Sequence, residues 1–155
     1  MKIRIEIEDS LEEDEIVIRC RELNNDIARL QTMVSKAAFS SRKFSVDKGG
    51  KQYYLALDEI LFFETEGKKV YVHTIDDMYQ TKYKLYELED MLPSSFMRIS
   101  KSTVLNTNCI YSISWNLTSS SPVEFQNTYK KVYVSRFYYK LLKAKLENRK
   151  EGNEE

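Results

Sequence analysis

The sequence is poor in the residues that interrupt or cross-link a chain. Four Gly and two Pro in 155 residues leave little turn material and no low-complexity linker. Two cysteines, Cys20 and Cys109, match no paired metal-ligand spacing and read as small core thiols. A single histidine, His73, has no Cys or His at ligand spacing, so no metal site is expected. It lies between Val72 and Thr74 in an alternating segment and reads as a strand-surface residue. No Gly-rich phosphate loop or nucleophile elbow occurs, so neither a cofactor nor an enzymatic activity is expected. No apolar run approaches ~18 residues, and the N-terminal segment lacks the apolar stretch of a signal peptide. The expectation is a cytoplasmic protein with no membrane partner.

Aromatic residues make up 12% of the chain, and 42% is hydrophobic. That is too rich for disorder and sufficient for one compact domain with a small appendage. Net charge is zero, yet the charges are unevenly spread. Residues 1–40 carry a net of −3, residues 41–100 a net of −1 and residues 101–155 a net of +4. Within 96–146, eight basic residues face Glu124 alone, a net of +7. Local potential rather than total charge attracts phosphate, so the basic half is a candidate nucleic-acid surface.

Period-two alternation at residues 2–8 (Ile3, Ile5, Ile7) and 15–20 (Ile16, Ile18, Cys20) predicts two strands around an acidic turn. Leu23, Ile27, Leu30 and Val34 then form the stripe of an amphipathic helix. Residues 1–40 are thus expected to form a β-β-α appendage, whose helix could serve a homodimer or dock a protein partner. From residue 43 onward, short apolar segments separated by turns predict a mainly β fold with few short helices. These include a hairpin around Gly49-Gly50, strands from Ile60, Val70 and Met78, and a short helix over Leu85–Leu92. Further strands are expected at 96–99, 103–106, 109–114, 123–126 and 131–134. Ser135 is placed to cap a last helix over 136–147. Its Tyr138, Leu141 and Leu142 are expected to face the core, with Arg136, Lys140 and Lys143 outward.

The run Ile60-Leu61-Phe62-Phe63-Glu64-Thr65-Glu66-Gly67-Lys68-Lys69-Val70-Tyr71-Val72-His73-Thr74 resembles the hallmark segment of LytTR DNA-binding domains. The resemblance continues through Leu85, Leu88, Leu92-Pro93 and Phe96–Asn106, and ends at Val134-Ser135-Arg136. It implies a LytTR-like multi-stranded β domain over 44–146 and a polar tail over 147–155. It also implies a sequence-specific transcriptional regulator of the stand-alone kind, without a receiver domain. Its loops would read successive major grooves of a repeated operator on double-stranded DNA. Carried over position by position, the first contact loop offers Lys68 and Lys69. The second offers Arg98, Ser100, Lys101 and Ser102, where many relatives have His at the position of Ser100. The third opens the last helix at Arg136, and Phe137 stands where many relatives have a second Arg. The outward face of that helix, apart from the resemblance, adds Lys140 one turn on. The competing reading is a protein-interaction module using the Leu23–Val34 helix, with only residual nucleic-acid binding.

Overall fold

A computed structural model describes residues 2–12 and 15–151. Among the described residues, ten strands and three α-helices follow one another: α1 (Asn25–Ser41), β1 (Lys43–Lys48), β2 (Lys51–Ala56), β3 (Phe62–Glu66), β4 (Lys69–His73), β5 (Met78–Thr81), α2 (Leu85–Met91), β6 (Phe96–Arg98), β7 (Thr103–Asn106), β8 (Ser112–Ile113), β9 (Ser121–Glu124), β10 (Lys131–Val134) and α3 (Arg136–Glu151). Short 3-10 turns at Leu57–Glu59 and Thr107–Cys109 lead into Ile60 and Ile110. The first seven strands form one antiparallel sheet in the order β2-β1-β5-β4-β3-β7-β6; β10-β9-β8 form a second.

β3 sits inside the larger sheet, between β4 and β7. The unbroken apolar run Ile60–Phe63 suits a strand covered on both faces, because successive side chains point to opposite sides. Phe63 joins Val72, Val104 and Leu88 beneath α2, meeting Phe44 edge-on at 5.5 Å. Phe62 points the other way, into a cluster with Leu105, Val123, Val134 and Leu142 beneath the small sheet and α3. The result is three layers, with the larger sheet in the middle. Burying a side chain the size of Phe62 or Phe63 contributes roughly 1.5–3 kcal/mol.

Turn chemistry sets the two tight hairpins. Gly49 and Gly50 both have positive φ, as a two-residue type I′ turn between Lys48 and Lys51 requires. Between Glu66 and Lys69, only Gly67 (φ 59°) of the turn Gly67-Lys68 has positive φ, the pattern of a type II′ turn. This fixes where Lys68 and Lys69 leave the sheet.

The mainly β architecture agrees with the sequence reading, but the N-terminal segment does not. No strand forms over residues 2–8 or 15–20, and Ile3, Ile5 and Ile7 are almost fully exposed. The expected turn at Asp9–Glu15 includes residues 13 and 14, which lie outside the described residues. Alternation supplies an apolar edge but no surface to cover it, and an isolated two-stranded hairpin is marginal in water. The appendage is therefore reduced to α1. Asn24, whose Oδ1 accepts from Ile27 N–H at 3.0 Å, caps this helix. Ile27, Leu30 and Val34 are half-buried, Leu23 is exposed, and α1 touches the chain at the Leu57–Glu59 turn. Cys20 is exposed rather than in the core; half-buried Cys109 has its thiol pushed up to about 11 by burial.

The last helix also differs in detail. Leu142 is fully buried with Tyr139 beside it, whereas Leu141 is 55% exposed, because the core face runs through Tyr138, Tyr139, Leu142 and Leu146. The helix continues through Glu151 into the expected polar tail, and residues 152–155 lie outside the described residues. Among the described residues no helix is long and apolar enough to cross a membrane.

Candidate nucleic-acid interface

Two backbone hydrogen bonds link the three basic segments to one another. Thr65 N–H, near the end of β3, donates to Ser102 O at 2.8 Å, tying the Gly67 turn to the β6–β7 loop. Ser135 N–H donates to Ile99 O at 2.9 Å, tying that same loop to the start of α3. Ser135 thus stands at the cap position, and its carbonyl accepts from Tyr138 N–H at 3.0 Å. A cleft of about 220 Å³ lies between the Gly67 turn, the β6–β7 loop and α2, with Lys68, Lys84, Arg98 and Lys101 on its walls.

The candidates do not play equal parts in this arrangement. Lys68, Lys69, Lys101, Arg136 and Lys140 are exposed. Arg98 is largely covered, its side chain 21% exposed, and each of its three guanidinium nitrogens donates within the protein. Nε donates to Ser100 O at 2.7 Å, Nη2 to Lys101 O at 2.6 Å and Nη1 to Glu89 Oε2 at 2.9 Å. A planar fork is suited to gathering two carbonyls and a carboxylate at once. The two serines are half-buried and turned inward: Ser100 Oγ accepts from Ser102 N–H at 3.2 Å, and the hydroxyls lie 3.4 Å apart. Arg98, Ser100 and Ser102 therefore shape the loop that carries Lys101.

Four other members of the +7 stretch are engaged within the chain. Lys130 Nζ donates to Thr74 O at 2.7 Å and to Asp77 O at 2.6 Å, clamping the β4–β5 turn to the β9–β10 loop. Lys131 pairs with Glu124 at 3.2 Å, and Lys145 Nζ donates to Ser94 O. Lys143 lies over the rings of Trp115 (5.8 Å) and Tyr139 (5.6 Å). A line of three outward charges on α3 is thus reduced to Arg136 and Lys140. Sequence reasoning counted positive charges without seeing which backbone carbonyls would claim them.

Two side chains with no part in the predicted site come out as structural. Asn106 is completely buried; its Nδ2 donates to Ile60 O at 2.9 Å and its Oδ1 accepts from Asn108 N–H at 3.1 Å. His73 is not on the strand surface as expected. Its side chain is only 12% exposed and it stacks on Phe62 at 4.3 Å. Burial, assisted by Lys130, lowers its pKa to about 4, while burial raises that of Glu64, 3.9 Å away. Both groups are driven toward their neutral forms, so the proximity is not an ion pair. Among the described residues no cluster of His, Cys, Asp and Glu is arranged to hold a metal ion.

Lys82 and Lys84 were missed by sequence reasoning. They border a second hollow of about 240 Å³ that shares Lys68 with the first. Their signal was present in Thr81-Lys82-Tyr83-Lys84, where the lysines stand two apart at the end of a strand running toward the Gly67 turn.

Exposed Lys68, Lys69, Lys101 and Arg136 thus stand on segments tied to one another by backbone bonds, with Arg98 holding the middle one. A family model, the LytTr DNA-binding domain, matches residues 50–147, and the chain belongs to that family. The fold is similar to the LytTr DNA-binding domain of a protein assigned as a methyl-accepting/DNA response regulator from Bacillus cereus. The TM-score is 0.63 at 25% identity, over 68% of this chain and 97% of that one. Similar proteins named as uncharacterised HTH-type transcriptional regulators occur in Staphylococcus aureus. One, from strain bovine RF122 / ET3-1, is 26% identical over 94% of this chain and 98% of its own length. Another, from strain MSSA476, is 29% identical over 61% of this chain and 63% of its own. Among the described residues no two α-helices follow one another in the chain without intervening strands, so the helix-turn-helix in those names has no counterpart here. The matched span makes this a DNA-binding protein of the LytTr family.

Proposed function

We propose that the protein binds a repeated operator on double-stranded DNA through the Gly67 turn, the β6–β7 loop and the start of α3. The observation that carries this reading is the pair of backbone bonds, Thr65 to Ser102 and Ser135 to Ile99, which link three separate basic segments to one another. Lys68, Lys69 and Lys101 approach the duplex from the loops, able to meet phosphate or a guanine edge. Arg136 opens α3 as a long planar donor suited to base contact, and Lys140 meets phosphate one turn further along. Arg98, Ser100 and Ser102 serve the interface by holding its middle loop.

In this reading residues 44–146 act as the DNA-binding unit and residues 1–40 bring two copies together in the cytoplasm. The half-buried Ile27, Leu30 and Val34 and the exposed Leu23 supply the apolar face for a homodimer. Titration of the full chain onto duplexes carrying one or two copies of a site recovered from a randomised library tests both parts. The two-site duplex should bind cooperatively, and removing residues 1–40 should abolish the cooperativity while leaving one-site affinity in place. Cooperativity surviving the truncation would refute the role of α1. Binding single-stranded DNA of the same sequence as tightly as the duplex would refute duplex reading.

A further inference from the structure

The two hollows beside the Gly67 turn share Lys68, Val70 and Lys84 as their common wall. Around them stand five lysines from three places in the chain: Lys68 and Lys69, Lys82 and Lys84, and Lys101. Nothing in the three contact loops requires Lys82 and Lys84. They follow β5, whose register puts Thr81 opposite Val70, so the chain leaves the sheet beside the Gly67 turn. Both lysines are exposed. Lys82 Nζ lies 5.9 Å from the centre of the Tyr83 ring, a contact that leaves its N–H donors available to an anion.

Two of the four nearby acids are engaged. Glu87 Oε1 accepts from the Lys84 backbone N–H at 3.0 Å, and Glu89 is held by Arg98 at 2.9 Å. Asp47 is the acidic side chain lining the second hollow, and Glu66 flanks the Gly67 turn. Five lysines outnumber the three carboxylates that lack a cationic partner among the described residues, Asp47, Glu66 and Glu87, and concave surfaces of one sign concentrate the field on an approaching anion.

We infer that Lys82 and Lys84 form an additional seat for the sugar–phosphate backbone of the same duplex, extending the interface past the Gly67 turn to the end of β5. This rests on the duplex-binding reading above. The seat takes phosphodiester irrespective of base, because mobile ammonium groups on a concave rim meet phosphates as point charges. It lengthens the footprint without adding to the sequence read.

The test compares the full-length chain with Lys82→Gln, Lys84→Gln and the double variant, on a duplex recovered from a randomised library by the unaltered protein. Lys51→Gln serves as the control, because the β1–β2 turn lies at the end of the sheet where Lys48 pairs with Asp77, away from the Gly67 turn. Each neutralised phosphate contributes about −0.9 to the slope of log K against log salt, which corresponds to about fivefold in affinity near 0.15 M salt. Each single variant should lose about fivefold and the double variant about 25-fold, with the slope shallower by nearly one unit per lysine. The motif each variant selects from the library should be unchanged. Lys82→Arg and Lys84→Arg, which keep the charge, should retain the slope, and circular dichroism melts should show all variants folded.

An unchanged slope in a folded double variant would overturn the seat while leaving duplex binding intact. An altered selected motif would overturn it as well, since the lysines would then be reading bases. Failure of the unaltered chain to prefer duplex over single-stranded DNA would instead remove the duplex-binding reading, and the seat with it.

Discussion

Replacing Arg98 discriminates between a residue that touches DNA and one that builds the loop that does. Its guanidinium gathers Ser100 O, Lys101 O and Glu89 within 2.6–2.9 Å. Each carbonyl bond from a charged donor at this largely covered site stabilises by about 1 kcal/mol, and the Glu89 pair, 39% exposed on the acid side, adds at most ~1 kcal/mol. Arg98→Ala should therefore cost about 2–3 kcal/mol, lowering Tm by roughly 4–12 °C for a chain of this size. Arg98→Lys keeps the charge but cannot present three donors in one plane, so it should still lose about 1–2 kcal/mol. Binding should weaken on every duplex, because Lys101 is no longer held toward the DNA, while the salt slope stays nearly unchanged. Thermal melts and salt titrations of both variants provide the measurement. If Arg98→Ala melted like the unaltered protein and its slope fell by about one unit, with Arg98→Lys restoring both slope and affinity, the guanidinium would be a phosphate ligand and the clamp argument would fail.

Two further outcomes concern the opposite side of the larger sheet. His73 has a folded pKa of about 4 against 6.5 for the unperturbed group, so below pH 6.5 the unfolded chain takes up the proton first. Stability should be independent of this group above pH 6.5 and fall by at most about 3 kcal/mol as pH drops to 4, partly offset by Glu64, whose raised pKa acts in the opposite sense; His73→Phe should flatten the decline, and an equally steep decline in that variant would refute the assignment. Lys130→Met should loosen the β4–β5 turn by about 1–2 kcal/mol and raise the pKa of His73, read by titration of the ring proton signals; an unmoved titration would show that Lys130 does not act on it.

How much of this was legible in the sequence depends on how local each signal is. Strand periodicity, the Gly49-Gly50 and Gly67 turns and the Leu85–Leu88 helix stripe are short-range patterns, and the strands from β1 to β10 fall where those patterns lie. The N-terminal isoleucines show the limit. Alternation marks a segment able to form a half-buried strand, but only a partner sheet makes it one, and neither edge of the larger sheet accepts it. On α3 the angular position alone could not decide between Leu141 and Tyr139, because the way the helix lies on the small sheet sets which side is covered.

At the interface the sequence marked positions and charge but not employment. Arg98, Lys130, Lys131 and Lys145 all look like free cations when counted along the chain. Each finds a carbonyl or carboxylate that is distant in sequence or hidden in a loop conformation. Lys82 and Lys84 show the converse. They stand outside every motif, yet the β4–β5 register carries them to the basic turn.

The most direct test of the account compares the DNA motifs selected from a randomised duplex library by the unaltered protein, Arg136→Ala and Lys140→Ala. Arg136, exposed at the first turn of α3 and anchored through Ser135 to the β6–β7 loop, should carry base reading. Arg136→Ala should lose about 1–3 kcal/mol on the preferred site and relax the motif at one base position. Lys140→Ala should select the unaltered motif, weaken all duplexes alike and reduce the salt slope by about one. A uniformly weakened Arg136→Ala that selects the unaltered motif would contradict the account, showing that the start of α3 holds DNA without reading it.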